Sequence, residues 1–493
     1  MNDIFIGKGE QDVYLLGRYA NRHGLIAGAT GTGKSVSLMV LAEGFSRLGV
    51  PVFLADVKGD LAGLSQPSQP GEKLKARLAQ LGIQDWSAQA NPVVFWDLYG
   101  RNGHPVRTTV SEMGAPLLAR VLELNDTQEG VLAVTFTVAD DNGLLLLDLD
   151  DLRSMLSFIG ENAKEISGKY GLVSAQSIGA IQRALLRLEQ DGGDQFFGEP
   201  ALDLADFVRR DLTGRGIVNV LSAETLIHKP RLYAAFLLWM LSELFENLPE
   251  VGDVDLPKLV FFFDEAHLLF ADAPDSLRQR IEQVVRLIRS KGVGVYFISQ
   301  LPDDVPDQVL GQLGNRLQHA LRAFTPRDQK AVRTAAETFP PNKRLNVVEV
   351  ITQLGVGEAL VTTLQEGGIP LPVERVLIAP PRCRIGAITE PERATVRQLS
   401  PIGGKYDSPI NRESAHERLQ QRAQAAALAD PRAKGQAAAQ EEGGVGGLIK
   451  DWLLGTGRRQ GVLEALAKNT LRTVGNQLGK QILRGVLGGI LKR

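Results

Sequence analysis

Eight residues near the start of the chain, Gly28-Ala29-Thr30-Gly31-Thr32-Gly33-Lys34-Ser35, constrain the fold more than any other feature. They spell G-x-x-x-x-G-K-S. That spacing serves one geometry, a backbone turned so tightly that its N–H groups point inward at an anion, with glycines where a Cβ would clash. Lys34 is placed to reach β- and γ-phosphates, and Ser35 to ligate Mg²⁺. Such a loop requires a buried strand before it and a helix after it, whose N-terminal end adds positive potential. Both are written in the sequence. Residues 24–27 read as a strand, and 34–48 as a helix.

A second strand, 52–55, closes on Asp56 and a polar Lys58-Gly59-Asp60 loop. The resulting strand–helix–strand unit has continuous apolar strands, as a parallel sheet buried on both faces requires. Further apolar runs at 93–96, 217–221, 259–263 and 295–298 alternate with helical patterns. The expectation is an α/β fold with a doubly wound, mainly parallel sheet. Between 111 and 210 the pattern changes. Leu117, Leu118, Val121 and Leu122, then Leu152, Met155, Leu156 and Ile159, then Ile178, Ile181, Leu185 and Leu188 recur at helical spacing. This reads as a helical insertion; crossover helices covering the sheet are the alternative. The expected organisation is a first core segment at 1–110, the insertion at 111–210, a second core segment at 211–395, a linker at 396–447 and a tail at 448–493.

Two further signals carry chemistry. The apolar run 259–263 ends in Asp264-Glu265. Ligands bind at the carboxyl ends of strands in open α/β sheets, so both acids are placed at a site. Asp264 is expected in the Mg²⁺ shell and Glu265 as the group that polarises the attacking water. His267 completes Asp-Glu-Ala-His; a local hydrogen bond is its simpler use. The run 295–298 ends in Ser299-Gln300, which puts an amide where it can sense a γ-phosphate.

These pieces, taken with Asn21-Arg22-His23-Gly24-Leu25-Ile26-Ala27, Ala55-Asp56-Val57-Lys58-Gly59-Asp60 and Arg289-Ser290-Lys291-Gly292-Val293-Gly294, occur in an order and spacing that resemble the HerA–FtsK superfamily of P-loop ATPases over residues 15 to 330. The resemblance implies a RecA-like (ASCE) core, ATP and Mg²⁺ as ligands, hydrolysis, and a hexameric homo-oligomeric ring with sites shared between neighbouring subunits; it fixes the engine and not the load, for which DNA in the ring pore is the expectation. It also implies an arginine acting in trans shortly before the strand that ends in Gln. Arg289 matches that position best, with Arg286, Arg316 and Arg322 behind it. Archaeal HerA proteins carry an N-terminal β-barrel that docks a nuclease. Here the phosphate loop begins at Gly28, so the resemblance does not extend to that nuclease as a partner.

Charge and composition add limits. The net charge is −2, yet the segment 446–493 holds nine Lys and Arg against Asp451 and Glu464. Apolar residues recur every three or four positions there, from Leu463 to Ile490, which describes a basic amphipathic tail. Its expected partner is anionic, either nucleic acid or a membrane surface; packing on the core as a brace is the alternative. The single cysteine, Cys383, and a start without an apolar leader lead to the expectation of a cytoplasmic protein. A nucleotide-dependent switch or scaffold is the competing reading to a motor, because no base-reading motif is present and the bulk of the chain is acidic.

Overall fold

The structure is a computed structural model and describes residues 2–252, 254–270 and 275–429. The tail at 448–493 and the later part of the 396–447 segment lie outside the described residues. The chain divides into two compact units, one made of Met1–Val106 and Leu202–Ser408, the other of Arg107–Ala201 and the residues from Pro409.

The first unit is built on one twelve-stranded sheet. Its strands are β1 (Asp3–Lys8), β2 (Asp12–Leu16), β3 (Gly24–Ala27), β4 (Val52–Asp56), β5 (Val93–Asp97), β6 (His104–Pro105), β7 (Val218–Ser222), β8 (Leu259–Phe263), β9 (Val293–Ser299), β10 (Asn315–Gln318), β11 (Glu358–Thr362) and β12 (Glu374–Ile378). Eight run parallel in the order β10-β3-β9-β8-β4-β7-β5-β6. The edge β11-β12-β1-β2 is antiparallel. This is the expected RecA-like arrangement, in which β9 separates the strand that leads into the phosphate loop from the strand that ends in Asp264-Glu265.

Continuous apolar sequence is explained by burial on both faces. Every residue of β3, β4, β5, β8 and β9 is buried. On one face the helix Lys34–Arg47 inserts Leu38, Met39, Leu41, Ala42 and Phe45 into a core shared with Ile26, Leu54, Phe262 and Tyr296. On the other, Phe53 packs against Phe207, Phe236 and Phe261 with ring centroids 5.2 to 6.5 Å apart. Phe236 comes from the helix Pro230–Asn247, which is buried along most of its length.

The second unit is helical. Four of its helices start where polar side chains satisfy otherwise unpaired first-turn N–H groups. Thr109 caps Val110–Val121, Asn125 and Gln128 form a reciprocal capping box on Asp126–Asp141, and Asp148 with Asp151 does the same on Leu149–Glu161. Ser174 caps Ala175–Gln190. The segment read as linker contains the helix Ala415–Ala429, which packs on Leu149–Glu161. There Asp151, fully buried, accepts from Leu147 N, Asp148 N and His416 N at 2.7 to 3.2 Å.

Candidate active site

The parallel order brings the carboxyl ends of the central strands β3, β9, β8 and β4 to the same end of the sheet, and the polar residues that follow each strand meet there. Gly28 leaves β3 with φ 151° and donates its N–H to Ser299 O at the end of β9. A Cβ on Gly28 would stand 2.5 Å from the Cβ of His319, so the close approach excludes any side chain. Gly31 and Gly33 are also left-handed, with φ 79° and 119°. Ala29 donates to Ala320 O, and Gly357 donates to Thr32 O, which ties the loop to the chain beyond β10 and to the start of β11. Thr30 and Gly31 form an exposed crown. The helix begins at Lys34 with Gly33 at its N-cap and no side-chain cap, leaving the helix start to be completed by an anion.

Lys34 is buried and turned into its own loop, where Nζ donates to Gly28 O at 2.6 Å and Ala29 O at 3.3 Å. Burial lowers its pKa, against the fields of Glu265 and Asp264. Ser35 Oγ donates to Asp60 Oδ2 at 3.1 Å. Asp60 Oδ1 is buried without a hydrogen-bond partner. Asp56 closes β4 and accepts from Gly59 N and Leu61 N, which shapes the loop that carries Lys58 and Asp60. Burial, then the neighbouring Asp60, raise its pKa to about 7.

β4 and β8 are adjacent, with Ala55 beside Phe263, so the residues after them are neighbours. Asp264 is buried, and burial followed by the adjacent Glu265 raises its pKa to about 6. Glu265 is one of three non-glycine residues with positive φ among those described, at 48°. A side chain pays for that conformation, and such strain concentrates at functional sites. Its Oε1 receives Lys58 Nζ at 2.5 Å, and its Oε2 lies 3.3 Å from His267 Nδ1. Burial works against its charge, yet the Lys58 hydrogen bond and field hold its pKa below the ordinary value.

The structure thus gathers Gly28 to Ser35, Asp264, Glu265 and the end of β9, where Gln300 is exposed. Arg289 is elsewhere. It stands in the turn Arg289–Lys291 before β9, at the opposite end of that strand from Gln300, and its field reaches the buried His23. Of the other arginines, Arg316 donates to Leu313 O, Leu310 O and Thr338 O, a fully local use, and Arg286 donates to Gln308. Arg322 is exposed.

Four site residues were not singled out from sequence. Asp56, Lys58 and Asp60 are legible in sequence as a polar loop closing a strand and as one piece of the family resemblance, with no role attached to any of them. His319 bridges the helix start and β11, with its Nδ1 donating to Glu358 O and its Nε2 accepting from Ser37 Oγ, both at 2.8 Å.

Residues 2–493 match the family described as helicase HerA-like, C-terminal. A probable helicase of Methanocaldococcus jannaschii is 33% identical over 112 residues, 22% of this chain and 20% of that protein. The DNA double-strand break repair helicase HerA of Sulfolobus acidocaldarius is 21% identical over 373 residues, 73% of this chain and 66% of that protein. The chain therefore spans less than two thirds of either relative. Among solved structures, the plasmid coupling protein TrwB with ADP and Mg²⁺ shares the fold at a TM-score of 0.51 and 16% identity, over 76% of this chain and 88% of that one. The phosphate loop, the acid pair on the strand two places away and the family match over nearly the whole chain agree: this protein belongs to the HerA-like helicase C-terminal family.

Proposed function

We propose that the chain is a Mg²⁺-dependent ATPase that works as a homo-oligomeric, hexameric ring and moves or remodels DNA. The observation that carries the hydrolytic part is the placement of Glu265, buried, ionised and strained, at the same end of the sheet as Lys34 and Ser35. A site built only to bind nucleotide has no need of that carboxylate.

Lys34 binds the β- and γ-phosphates, and the loop N–H groups and helix start hold the rest of the chain of phosphates. Ser35, Asp264 and Asp60 fit a magnesium ion in donor chemistry: Ser35 and Asp60 are hydrogen-bonded, Asp264 feels the charge of Asp60, and Asp60 Oδ1 has no hydrogen-bond partner. When bound, that ion offsets phosphate charge. Glu265 takes hydrogen-bond hold of the attacking water, and Gln300 at the end of β9 senses the γ-phosphate. Arg289 serves a neighbour's site. It lies a seven-residue strand away from its own loop, about 20 Å at ordinary strand rise, too far to act in cis.

DNA as load rests on the family, whose named relatives include a DNA repair helicase. The basic tail supplies counter-charge for phosphates. The test is ATPase activity of the wild-type protein and of Glu265→Gln, with and without double-stranded DNA, across salt concentration. The wild type is expected to hydrolyse ATP with Mg²⁺ and to be stimulated by DNA in a manner that falls steeply with salt. Glu265→Gln is expected to bind nucleotide and lose at least about a hundredfold in turnover. Wild-type turnover in that variant refutes the assignment of Glu265; absence of any DNA effect at low salt refutes DNA as the load.

A further inference from the structure

We propose that Lys58 is a positioning residue for the hydrolytic step: it holds Glu265 in reserve and releases it when a terminal phosphate draws the lysine away. This deepens the ATPase reading and rests on it.

Three observations converge on Lys58. First, its Nζ lies 2.5 Å from Glu265 Oε1, so that carboxylate oxygen is engaged by a cation. Second, the two ends of that pair are unequal. The Glu265 side chain is 7% exposed and the Lys58 side chain 44% exposed. The carboxylate is fixed by the strand end, whereas the lysine stands on the loop after β4 with room to swing. Third, Lys34 feels the charge of Lys58, and both lysines feel Glu265 and Asp264. Two ammonium groups therefore act on the same pair of carboxylates beside the phosphate loop. Lys34 meanwhile rests on the carbonyls of Gly28 and Ala29, acceptors weaker than a phosphate oxygen.

Electrostatics decides which partner Lys58 prefers. A terminal phosphate carries more negative charge than a carboxylate and offers three acceptor oxygens. Placed between the two lysines it relieves their repulsion and competes for Lys58. A diphosphate ends one phosphate short and leaves Lys58 on Glu265. The carboxylate is thus freed for water only when there is a γ-phosphate to transfer. The other oxygen, Glu265 Oε2, lies 3.3 Å from His267 Nδ1, so the oxygen that Lys58 releases is Oε1.

The distinguishing measurement is the affinity ratio between ATPγS and ADP, each with Mg²⁺, in the full-length protein. Lys58→Gln is expected to weaken ATPγS about tenfold or more and to change ADP by no more than about twofold. Lys58→Arg is expected to keep the wild-type ratio. Equal weakening of both nucleotides, or of neither, overturns the proposal. If the wild type binds neither nucleotide, the ATPase reading itself fails, a different result from an unchanged ratio. Should Lys58→Gln not fold, the wild type still decides. Acetylation of Lys58, followed by mass spectrometry, is expected to slow with ATPγS and not with ADP; equal protection by both refutes the exchange of partners.

Discussion

His319 shows how a single side chain fixes a site that no local motif announces. Its ring is neutral, donating to Glu358 O and accepting from Ser37, and burial lowers its pKa to about 4. The unfolded chain takes up that proton near pH 6.5, so stability falls as pH drops from about 6.5 towards 4, by up to about 3 kcal/mol for this one group. His23, also buried and lowered to about 4, acts in the same direction. Asp56 and Asp264, raised to about 7 and about 6, act oppositely, since the folded form holds their protons and loses stability as pH rises through that range. The informative quantity is therefore a difference. His319→Gln is expected to flatten the fall in urea midpoint between pH 7 and 4.5 relative to the wild type; identical slopes would show that the ring is not held neutral. Sequence made Gly28 to Ser35 and Asp264-Glu265 legible because their geometry is set within a few bonds. It could not reveal His319, whose partners are 282 and 39 residues away, or Lys58, whose partner is 207 residues away, because only the sheet order brings them together.

Strands and helices were legible in proportion to how completely they are buried. β3, β4, β5, β8 and β9 announced themselves as apolar runs. β10, with the sequence Asn-Arg-Leu-Gln, and β1 and β2, with exposed or half-buried positions, did not, since pairing there is made by the backbone and not by an apolar pattern. The helix Ala415–Ala429 reads in sequence as a weak helix or linker because Ala, Gln and Arg give no strong stripe; His416 N at its start donates to Asp151. That contact is testable. Asp151→Ala leaves three N–H groups without their acceptor and is expected to cost the helical unit at least about 2 kcal/mol in denaturant unfolding. Hydrogen exchange should quicken in Leu149–Glu161 and Ala415–Ala429 and leave β3, β8 and β9 protected. Unchanged exchange in both helices would deny Asp151 that role.

At the scale of the whole molecule, β9 separates Gln300, which follows one end of the strand, from Arg289, which precedes the other. If Arg289 completes a neighbour's site, neither Arg289→Ala nor Lys34→Ala is active alone, but a mixture regains activity at interfaces that pair an intact loop with an intact arginine. The expected recovery at equal proportions is about a quarter of the wild-type rate, from random pairing, with the assembled ring stabilising charge in trans. No recovery despite subunit exchange rules out Arg289. Among the described residues no helix is long and apolar enough to cross a membrane. Asp151 also has a meaning in time. Its partner His416 follows it by 265 residues, and a ribosome adding about 5–20 residues per second needs roughly 13–53 s to cover that distance. During that interval Asp151 lacks the His416 N–H as a donor, and the whole strand-forming stretch from β7 to β12 is made before the unit can close. The helical unit is begun early in synthesis and finished last.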